Sequence, residues 1–394
     1  MKRIGQNFAL LLIVWALSVT SLSGQEQLNT AERMMQEEDR LTLGGYAQID
    51  YNQPLGGGTY NSGGLDVHRM VLMFGYKFNE KIQFVSEIEF EHVKEVFVEQ
   101  AFLQYEILPW LKFRAGLMLI PMGIINEYHE PSTFNGVERP SLDTYIAPTT
   151  WREIGAGFSG VFPSAALSYQ LYLTNGFKSY DDGATLSGAN GFRKGRQKGA
   201  ESFMNAPNLA FKVNYFGITG LQLGFSGYTG LTQSSLYNGI EKSDASAVAM
   251  ADSSVVGLTM FGADARYSLG GLQIRAQMNY GWVSNTANYN EFTGTDMGSA
   301  LSGWYGELAY NVLHSSDQFK SELIPFIRFE QYNTHSSVAE GMTPDPVLNR
   351  TDLTLGIGWR MVKGAMLKLD YQIFNNKGPA DSRHQVNAGV AVWF

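Results

Sequence analysis

The chain predicts an all-β fold, a transmembrane antiparallel β-barrel of about sixteen strands, and three observations carry that reading. Hydrophobicity alternates with period two over segments that commonly reach ten or more residues. That is the length a tilted strand needs to cross a bilayer, whereas soluble strands usually run to about five or six. The connectors come in two sizes that nearly alternate: tight turns at Asn79-Glu80, Pro163-Ser164, Phe216 to Thr219, Gly270-Gly271 and Lys363-Gly364, and long polar loops such as Gly176 to Met204 and Gly230 to Ser253. The last strand, Gln385 to Phe394, sets Val386, Ala388, Val390, Val392 and Phe394 on one face and ends on an aromatic residue. Short turns on one side and long loops on the other are the pattern of an outer-membrane barrel.

The N-terminus fits export. Lys2 and Arg3 precede the apolar run Phe8 to Val19, and Ser21-Leu22-Ser23-Gly24 offers small residues for cleavage, so residues 1–24 read as a secretory signal peptide. The run is too short to span a membrane as a helix, and no later stretch approaches about twenty unbroken apolar residues. Residues 25–40 form a short periplasmic N-terminal segment. Within it Leu28 to Glu38 is expected either as a short helix capped at Asn29-Thr30 or as disorder. Residues 41–394 are the barrel.

The strands are expected to start near Leu41, Leu65, Ile82, Val96, Trp110, Arg152, Ala165, Pro207, Leu221, Val255, Leu272, Gly303, Glu322, Thr351, Met366 and Gln385. In the first, Leu41, Leu43, Gly45, Ala47, Ile49 and Tyr51 oppose Thr42, Gly44, Tyr46, Gln48, Asp50 and Asn52. One face is greasy and the other wet. The segment Leu65 to Phe78 departs from this, because Val71 and Met73 make both its faces apolar. The connector Glu91 to Glu95 departs too, being short on the long-loop side. Two aromatic girdles are expected, from Trp110, Phe162, Tyr215, Tyr267, Tyr310 and Trp359 at the turn ends and Tyr51, Tyr228, Trp282 and Tyr332 at the loop ends.

Composition narrows the function. Charged residues are 17% of the chain against a usual share of about 25%, as suits strands with one face in lipid. With no cysteine, disulfides, thiol chemistry and Cys-ligated metals are excluded. A formal charge of -8 gives no reason to expect nucleic acid as a partner. Gly155-Ala156-Gly157-Phe158-Ser159-Gly160 matches a dinucleotide-binding spacing but runs on into Val161-Phe162-Pro163 with no helix to hold a pyrophosphate. None of the six histidines, His68, His92, His129, His314, His335 and His384, is paired at metal-ligand spacing, and no metal, cofactor or catalytic residue is expected. The run Arg193-Lys194-Gly195-Arg196-Gln197-Lys198 lies in a predicted extracellular loop, as a solvated segment, a clamp on lipid phosphates, or a lure drawing anions to the mouth.

Short motifs carry a resemblance. Glu99-Gln100-Ala101-Phe102-Leu103-Gln104-Tyr105, then Phe113-Arg114-Ala115-Gly116 leading into Ile120-Pro121-Met122-Gly123, is similar to the strand pair entering the third loop of the phosphate-selective porins O and P. Glu138-Arg139-Pro140, Arg152-Glu153-Ile154-Gly155, Thr174-Asn175-Gly176, Asp264-Ala265-Arg266-Tyr267 and Pro325-Phe326-Ile327-Arg328-Phe329-Glu330 follow in order. The resemblance implies a homotrimer of sixteen-stranded channels, each narrowed by an inward-folded third extracellular loop. The chain departs from that family where phosphate is selected, since no lysine occurs between Lys112 and Lys178. The loop Leu119 to Thr150 carries Glu127, Glu130, Glu138 and Asp143, with His129 and Arg139 as its positive groups. Glu87, Glu89, Arg114, Lys212, Asp264, Arg266, Arg275, Glu307, Arg328, Glu330, Arg360, Lys368 and Asp370 fall on the wet face, and because both signs alternate on neighbouring strands they read as mutually neutralising ladders in preference to the alternative, a dedicated anion track.

The expected function is an outer-membrane porin of a Gram-negative bacterium, a passive aqueous channel for small hydrophilic solutes or ions, anions such as phosphate among them. Its expected partners are outer-membrane lipids, lipopolysaccharide and the barrel assembly machinery. The alternative from another class is an outer-membrane barrel enzyme, a lipid hydrolase with a Ser-His site on the barrel exterior, which needs no local motif. A barrel for hydrophobic compounds would call for an N-terminal plug.

Overall fold

The computed structural model describes residues 25–56, 60–316, 318–379 and 381–394. The expected signal peptide lies outside them. Sixteen antiparallel strands close into one barrel. They are β1 (Leu41–Leu55), β2 (Gly64–Lys77), β3 (Ile82–Glu91), β4 (Glu95–Leu108), β5 (Leu111–Leu119), β6 (Arg152–Phe162), β7 (Leu167–Thr174) and β8 (Asn208–Ile218). The second half comprises β9 (Leu221–Leu231), β10 (Gly257–Leu269), β11 (Leu272–Ser284), β12 (Ala300–Tyr310), β13 (Glu322–Ser337), β14 (Asn349–Val362), β15 (Ala365–Asn376) and β16 (Arg383–Trp393). Each begins within a few residues of its expected start. Closure is made by β1, which pairs with β2 on one edge and with β16 on the other, Tyr46 opposite Trp393 and Leu55 opposite His384. Among the described residues every barrel strand is paired on both edges, so none leaves the unpaired N–H and C=O groups that hydrocarbon would not satisfy.

Alternation sets the two faces. Leu41, Leu43 and Ile49 of β1, Leu223 and Phe225 of β9 and Leu367 and Leu369 of β15 project outward, exposed, while Gln48, Asp50, Gln222, Lys368 and Asp370 between them are buried inside. An apolar outer wall of this extent marks a lipid-facing surface. Among the described residues no helix is long and apolar enough to cross a membrane.

One turn and two aromatics differ from expectation. The turn between β8 and β9 is Thr219-Gly220 rather than Phe216 to Thr219, because Phe216 is still bonded to the neighbouring strand through Ala166. Gly220 supplies the left-handed backbone there, at φ 77. Trp110, Phe162, Tyr215, Tyr310 and Trp359 do stand exposed near the turn ends, as Trp282 does near the loop ends. Tyr228 and Tyr332, however, point into the lumen and are buried. Tyr228 donates to Glu153 at 3.1 Å and Tyr332 stacks on Tyr145 with 5.6 Å between ring centroids, so both serve the interior instead of a lipid girdle.

The two-sided apolarity of β2 has a local cause. Upstream of β1, helix α1 (Thr30–Gln36) starts with a capping box in which Asn29 and Glu32 satisfy each other's backbone N–H groups. Its Ala31 and Met34 lie in the turn-side mouth of the barrel against Tyr46, Val71, Met73, Val85 and Phe102. Val71 and Met73 are the inner face under that helix. The segment is tied further in, where the Gln27 N–H donates to Gln222 at 2.9 Å and the Thr30 N–H to Glu130 at 3.3 Å.

The C-terminus is held by both of its last backbone groups, since the Phe394 N–H and C=O bond the C=O and N–H of Gly45 at 3.0 Å. Its ring lies over Gly45 on the outer wall, where a Cβ would meet it at 2.9 Å. Deleting Phe394 is therefore expected to cut the yield of heat-modifiable folded barrel severalfold and leave the conductance of the surviving molecules unchanged. Full assembly of the truncated chain, compared by gel mobility before and after boiling, would contradict this.

Candidate functional site: a lumen crossed by the third loop

The connector between β5 and β6, residues 120–151, turns into the barrel and is buried over most of its length. Asn126 fastens its two ends together, its Nδ2 donating to the carbonyls of Ile120 at 2.7 Å and Trp151 at 2.8 Å and its Oδ1 accepting from the Trp151 N–H at 2.8 Å. Ile120, Met122, Ile124, Ile125, Leu142, Ile146 and Trp151 form an apolar side. That side finds an apolar patch on the inner wall, built from Ala210, Tyr228, Leu258, Met260, Val283, Leu301 and Tyr305. Polar barrel interiors would not supply such a patch, and burying this area contributes about 25 cal/mol per Å² removed from water.

The opposite side of the loop is polar and reaches across the lumen. Lys368 Nζ donates to the carbonyls of Pro131, Phe134 and Gly136 at 2.5, 2.7 and 2.8 Å, and the Asp370 carboxylate accepts from the Val137 N–H at 2.6 Å. Gln48 and Asn52 of β1 donate to the Val137 carbonyl and to Glu138. On the other wall Lys212 joins Glu127 at 2.7 Å to Asp264 at 3.4 Å, and Arg266 lies 3.7 Å over the Tyr128 ring. The loop is thus bonded from β1 through β8 and β11 to β15.

Of the wet-face charges expected to line the lumen, Glu87, Glu89, Lys212, Asp264, Arg266, Glu307, Arg328, Glu330, Lys368 and Asp370 are buried inside, and Arg275 is near them. Neighbouring strands do carry ladders: Arg275–Glu307 at 3.4 Å, Arg328–Glu307 at 3.7 Å, Arg69–Glu89 at 3.3 Å, and Arg360 with Glu322. Arg114 donates to Gln104 at 2.7 Å and stands 4.0 Å from Glu32 of α1, sharing a cavity with Glu127 of the third loop.

The loop carboxylates are satisfied mostly by neutral donors. Glu138 takes Asn52, Asp143 takes Gln277 at 2.7 Å, and Glu130 takes the Thr30 N–H, while Glu127 alone among them contacts a lysine. His129 stands 3.1 Å from Glu87, and Arg139 donates to the His129 carbonyl at 2.9 Å. Burial disfavours a charged His129 ring, but Glu87, with Glu99 and Glu130 behind it, outweighs burial and raises its pKa.

Several functional residues escaped sequence reasoning. Glu153 accepts from the Trp151 indole at 2.7 Å, the Gly176 N–H at 2.9 Å and Thr174, and Arg152 pairs with Glu99 at 2.8 Å. Within the basic run Arg196 and Lys198 turn inward, Arg196 donating to Thr150 at 2.9 Å and Lys198 lying 4.3 Å over the Phe97 ring, while Arg193 and Lys194 stay exposed. Arg69, Arg139, Arg193, Arg196 and Lys198 line a cavity of about 130 Å³ above the third loop, with Glu91 and Glu138 as its acidic groups. Burial and the neighbouring Arg193 lower the pKa of Arg196, as burial and Arg69 lower that of Arg139, against an opposing pull from nearby glutamates. Below the loop a second cavity of about 60 Å³ lies between α1, Arg114, Glu127 and Tyr128.

No family model matches the sequence. An uncharacterized protein of Aquifex aeolicus (strain VF5) is 30% identical over 359 residues, covering 86% of this chain and 77% of that protein. The chain belongs to the same family as that protein. Among solved structures, Salmonella typhi OmpF in complex with daunomycin superposes with a TM-score of 0.59 at 14% identity, covering 90% of this chain and 97% of the other. An anion-selective porin from Comamonas acidovorans gives 0.54 at 11% identity over 90% and 99%. The trimer form of OmpT, an outer membrane protein of Vibrio cholerae, gives 0.53 at 11% identity over 90% and 99%. The fold is porin-like.

Asp143 offers a test of how tightly the loop is docked. Burial, only partly offset by the Gln277 hydrogen bond, pushes its carboxyl from 3.8 up to about 8. A carboxyl raised in the folded state holds its proton there while the unfolded chain releases it, so folded stability falls as pH rises from about 4 to about 8. Asp143→Asn removes that titration and keeps the shape. Its melting temperature, read by loss of the unboiled gel form, is expected to match wild type near pH 4 and to exceed it progressively up to pH 8. A difference independent of pH would mean the carboxyl is solvated.

Proposed function

We propose that the protein is an outer-membrane porin, a passive channel for small hydrophilic solutes that prefers anions. The observation that carries the preference is the cavity over the third loop, where Arg139, Arg193, Arg196 and Lys198, beside the Glu89-paired Arg69, face Glu91 and Glu138. In a narrow, low-dielectric passage such an excess is weakly screened, so it raises the local concentration of anions at the entrance. Guanidinium groups also match the bidentate geometry of phosphate and carboxylate. The likeness in fold to the Comamonas anion-selective porin supports the reading, as do the motifs similar to phosphate-selective porins, although the lysines of that family's constriction have no counterpart here. An apolar outer wall and long loops at one end support the outer membrane of a Gram-negative bacterium, with lipid and lipopolysaccharide around it and the assembly machinery reading the last strand. The trimer form of the Vibrio protein supports a homotrimer. Residues 1–24 then act as the signal peptide, and residues 25–40 sit at the periplasmic end.

The hydrolase reading needs a nucleophile beside a base, and among the described residues no serine hydroxyl hydrogen-bonds a histidine.

Planar-bilayer recordings in a potassium chloride gradient decide the selectivity. Wild type is expected to reverse on the chloride side, and Arg139→Gln with Arg196→Gln to lower the anion-to-cation permeability ratio roughly threefold or more. Glu138→Lys is expected to raise it. A cation-selective wild type, or a ratio unmoved by these changes, would remove the preference while leaving the channel.

The loop itself is tested by size. Deleting residues 131–137, the tip held by Lys368 and Asp370, is expected to raise single-channel conductance severalfold because that tip spans the lumen to β15. Unchanged conductance in a correctly folded variant would mean solutes pass elsewhere.

A further inference from the structure

We propose that the loop-end rim of β1, β2 and β3 is a binding site for a late-transition divalent cation, Zn²⁺ being the reference ion, held by Asp66, His68 and His92 with Asp50 as fourth donor. His68 also lines the cavity on which the selectivity is argued, at its β2 edge, and the test below reads metal binding and not permeability. One ligand atom each from Asp66, His68 and His92 lies within 4.8 Å of the others. His92 Nδ1 is 2.5 Å and His68 Nδ1 3.8 Å from the same Asp66 carboxylate oxygen, and His68 Nδ1 is 3.9 Å from Asp50 Oδ2. Donors about 2.0–2.1 Å from a tetrahedral zinc lie about 3.3 Å from one another, in the middle of that range. Small side-chain rotations bring them to it.

Two backbone irregularities build this arrangement. Gln48 pairs with Arg69 and Asp50 with Asp66, so one residue of β1 faces two of β2, Val67 and His68. This bulge turns His68 inward beside Asp66, where a regular strand would have sent it to the lipid face. The hairpin from β3 to β4 then turns on His92 and Val93, both left-handed at φ 53 and φ 61. Asn-Gly or Asp-Gly would fill such a turn without strain, and a β-branched residue there is a backbone outlier. Its effect is to fold the His92 ring back over Asp66 and edge-on to His68, centroids 5.5 Å apart.

A simple ion pair accounts for His92 with Asp66 and for nothing else. It leaves unexplained the second imidazole directed at the same carboxylate. It also leaves unexplained the buried Asp50 carboxyl, whose Oδ2 lies 3.9 Å from that imidazole and accepts from Gln48 at 2.7 Å, while its Oδ1 lies toward Gly389 of β16. Two imidazoles with two carboxylates favour zinc, nickel or copper over magnesium or calcium, which want oxygen alone. The cations on the cavity side of His68 are Arg69, paired with Glu89, Arg139, which donates to the His129 carbonyl, and Arg193, Arg196 and Lys198, with Glu91 and Glu138 opposite; Asp50 and Asp66 stand between them and the two imidazoles. His92 and Asp66 are open to the medium, so the ion enters from outside, and once bound it pins the β3–β4 hairpin to β2 and β1.

The test uses the full-length, tag-free barrel in detergent after chelator dialysis. Calorimetric titration with zinc chloride is expected to give one ion per chain, and titration with Co²⁺ the intense visible absorption of a tetrahedral site, which adventitious octahedral carboxylate binding lacks. His92→Gly suits the left-handed turn and is expected to keep gel-shift heat stability at or above wild type while weakening zinc at least roughly tenfold and abolishing the cobalt band. His68→Asn should weaken zinc similarly. No stoichiometric binding by wild type, or binding undiminished in the double variant, overturns the site.

Discussion

Everything inside this molecule follows from the need to close the sheet. A strand with one face in hydrocarbon has no solvent for its backbone, so its edge must be paired, and pairing β1 with β16 removes the last edge. Closure with sixteen strands fixes a lumen too wide for wall side chains alone to fill. The inner faces are consequently free to be polar, and the third loop has somewhere to go. Its buried course inside the barrel depends on that wide ring.

Entering the lumen would still be unfavourable for a loop whose backbone groups lost water without finding partners. Here the partners are supplied mostly by the wall. Lys368 gathers three carbonyls of the loop tip, Asp370 takes one N–H, and Asn126 seals the ends. The apolar side meets Leu258, Met260 and Tyr305, which interrupt the polar lining where Ile124 and Ile146 press against it. Loop and wall are complementary in sequence on both sides.

The strands were legible because each carries its own period, and length separated them from soluble strands. The shape of the loop was less so, since its partners sit on strands distant in sequence. Val71 and Met73 signalled a second apolar neighbour without saying that it was α1, and Tyr228 and Tyr332 looked like girdle residues because strand ends favour aromatics on either face. Only the bulge at Val67 and His68 brings His68 beside His92, and a one-residue irregularity leaves no mark on a period-two pattern. The basic run could be read as charge, yet its direction depends on a loop that folds back through Arg196 onto Thr150.

The division of charge in the lumen bears on how a solute would be sorted. Wall charges such as Arg328 with Glu330, Arg152 with Glu99 and Lys212 with Glu127 and Asp264 are paired at short range and buried. A buried pair adds little net stability, but removing one partner strands the other and typically costs about 3–5 kcal/mol. These groups therefore hold geometry, and a passing ion that drew one away from its mate would meet that cost. The cations above the loop are differently situated, because Arg139, Arg193, Arg196 and Lys198 crowd one another with only Glu91 and Glu138 opposite. An anion arriving there lowers the energy of the site without breaking a pair. In the channel proposed above, selectivity would then rest on Arg139 of the third loop and on the loop carrying Arg193, Arg196 and Lys198 that folds over it, with the ladders of the barrel wall as the frame that keeps those cations in position.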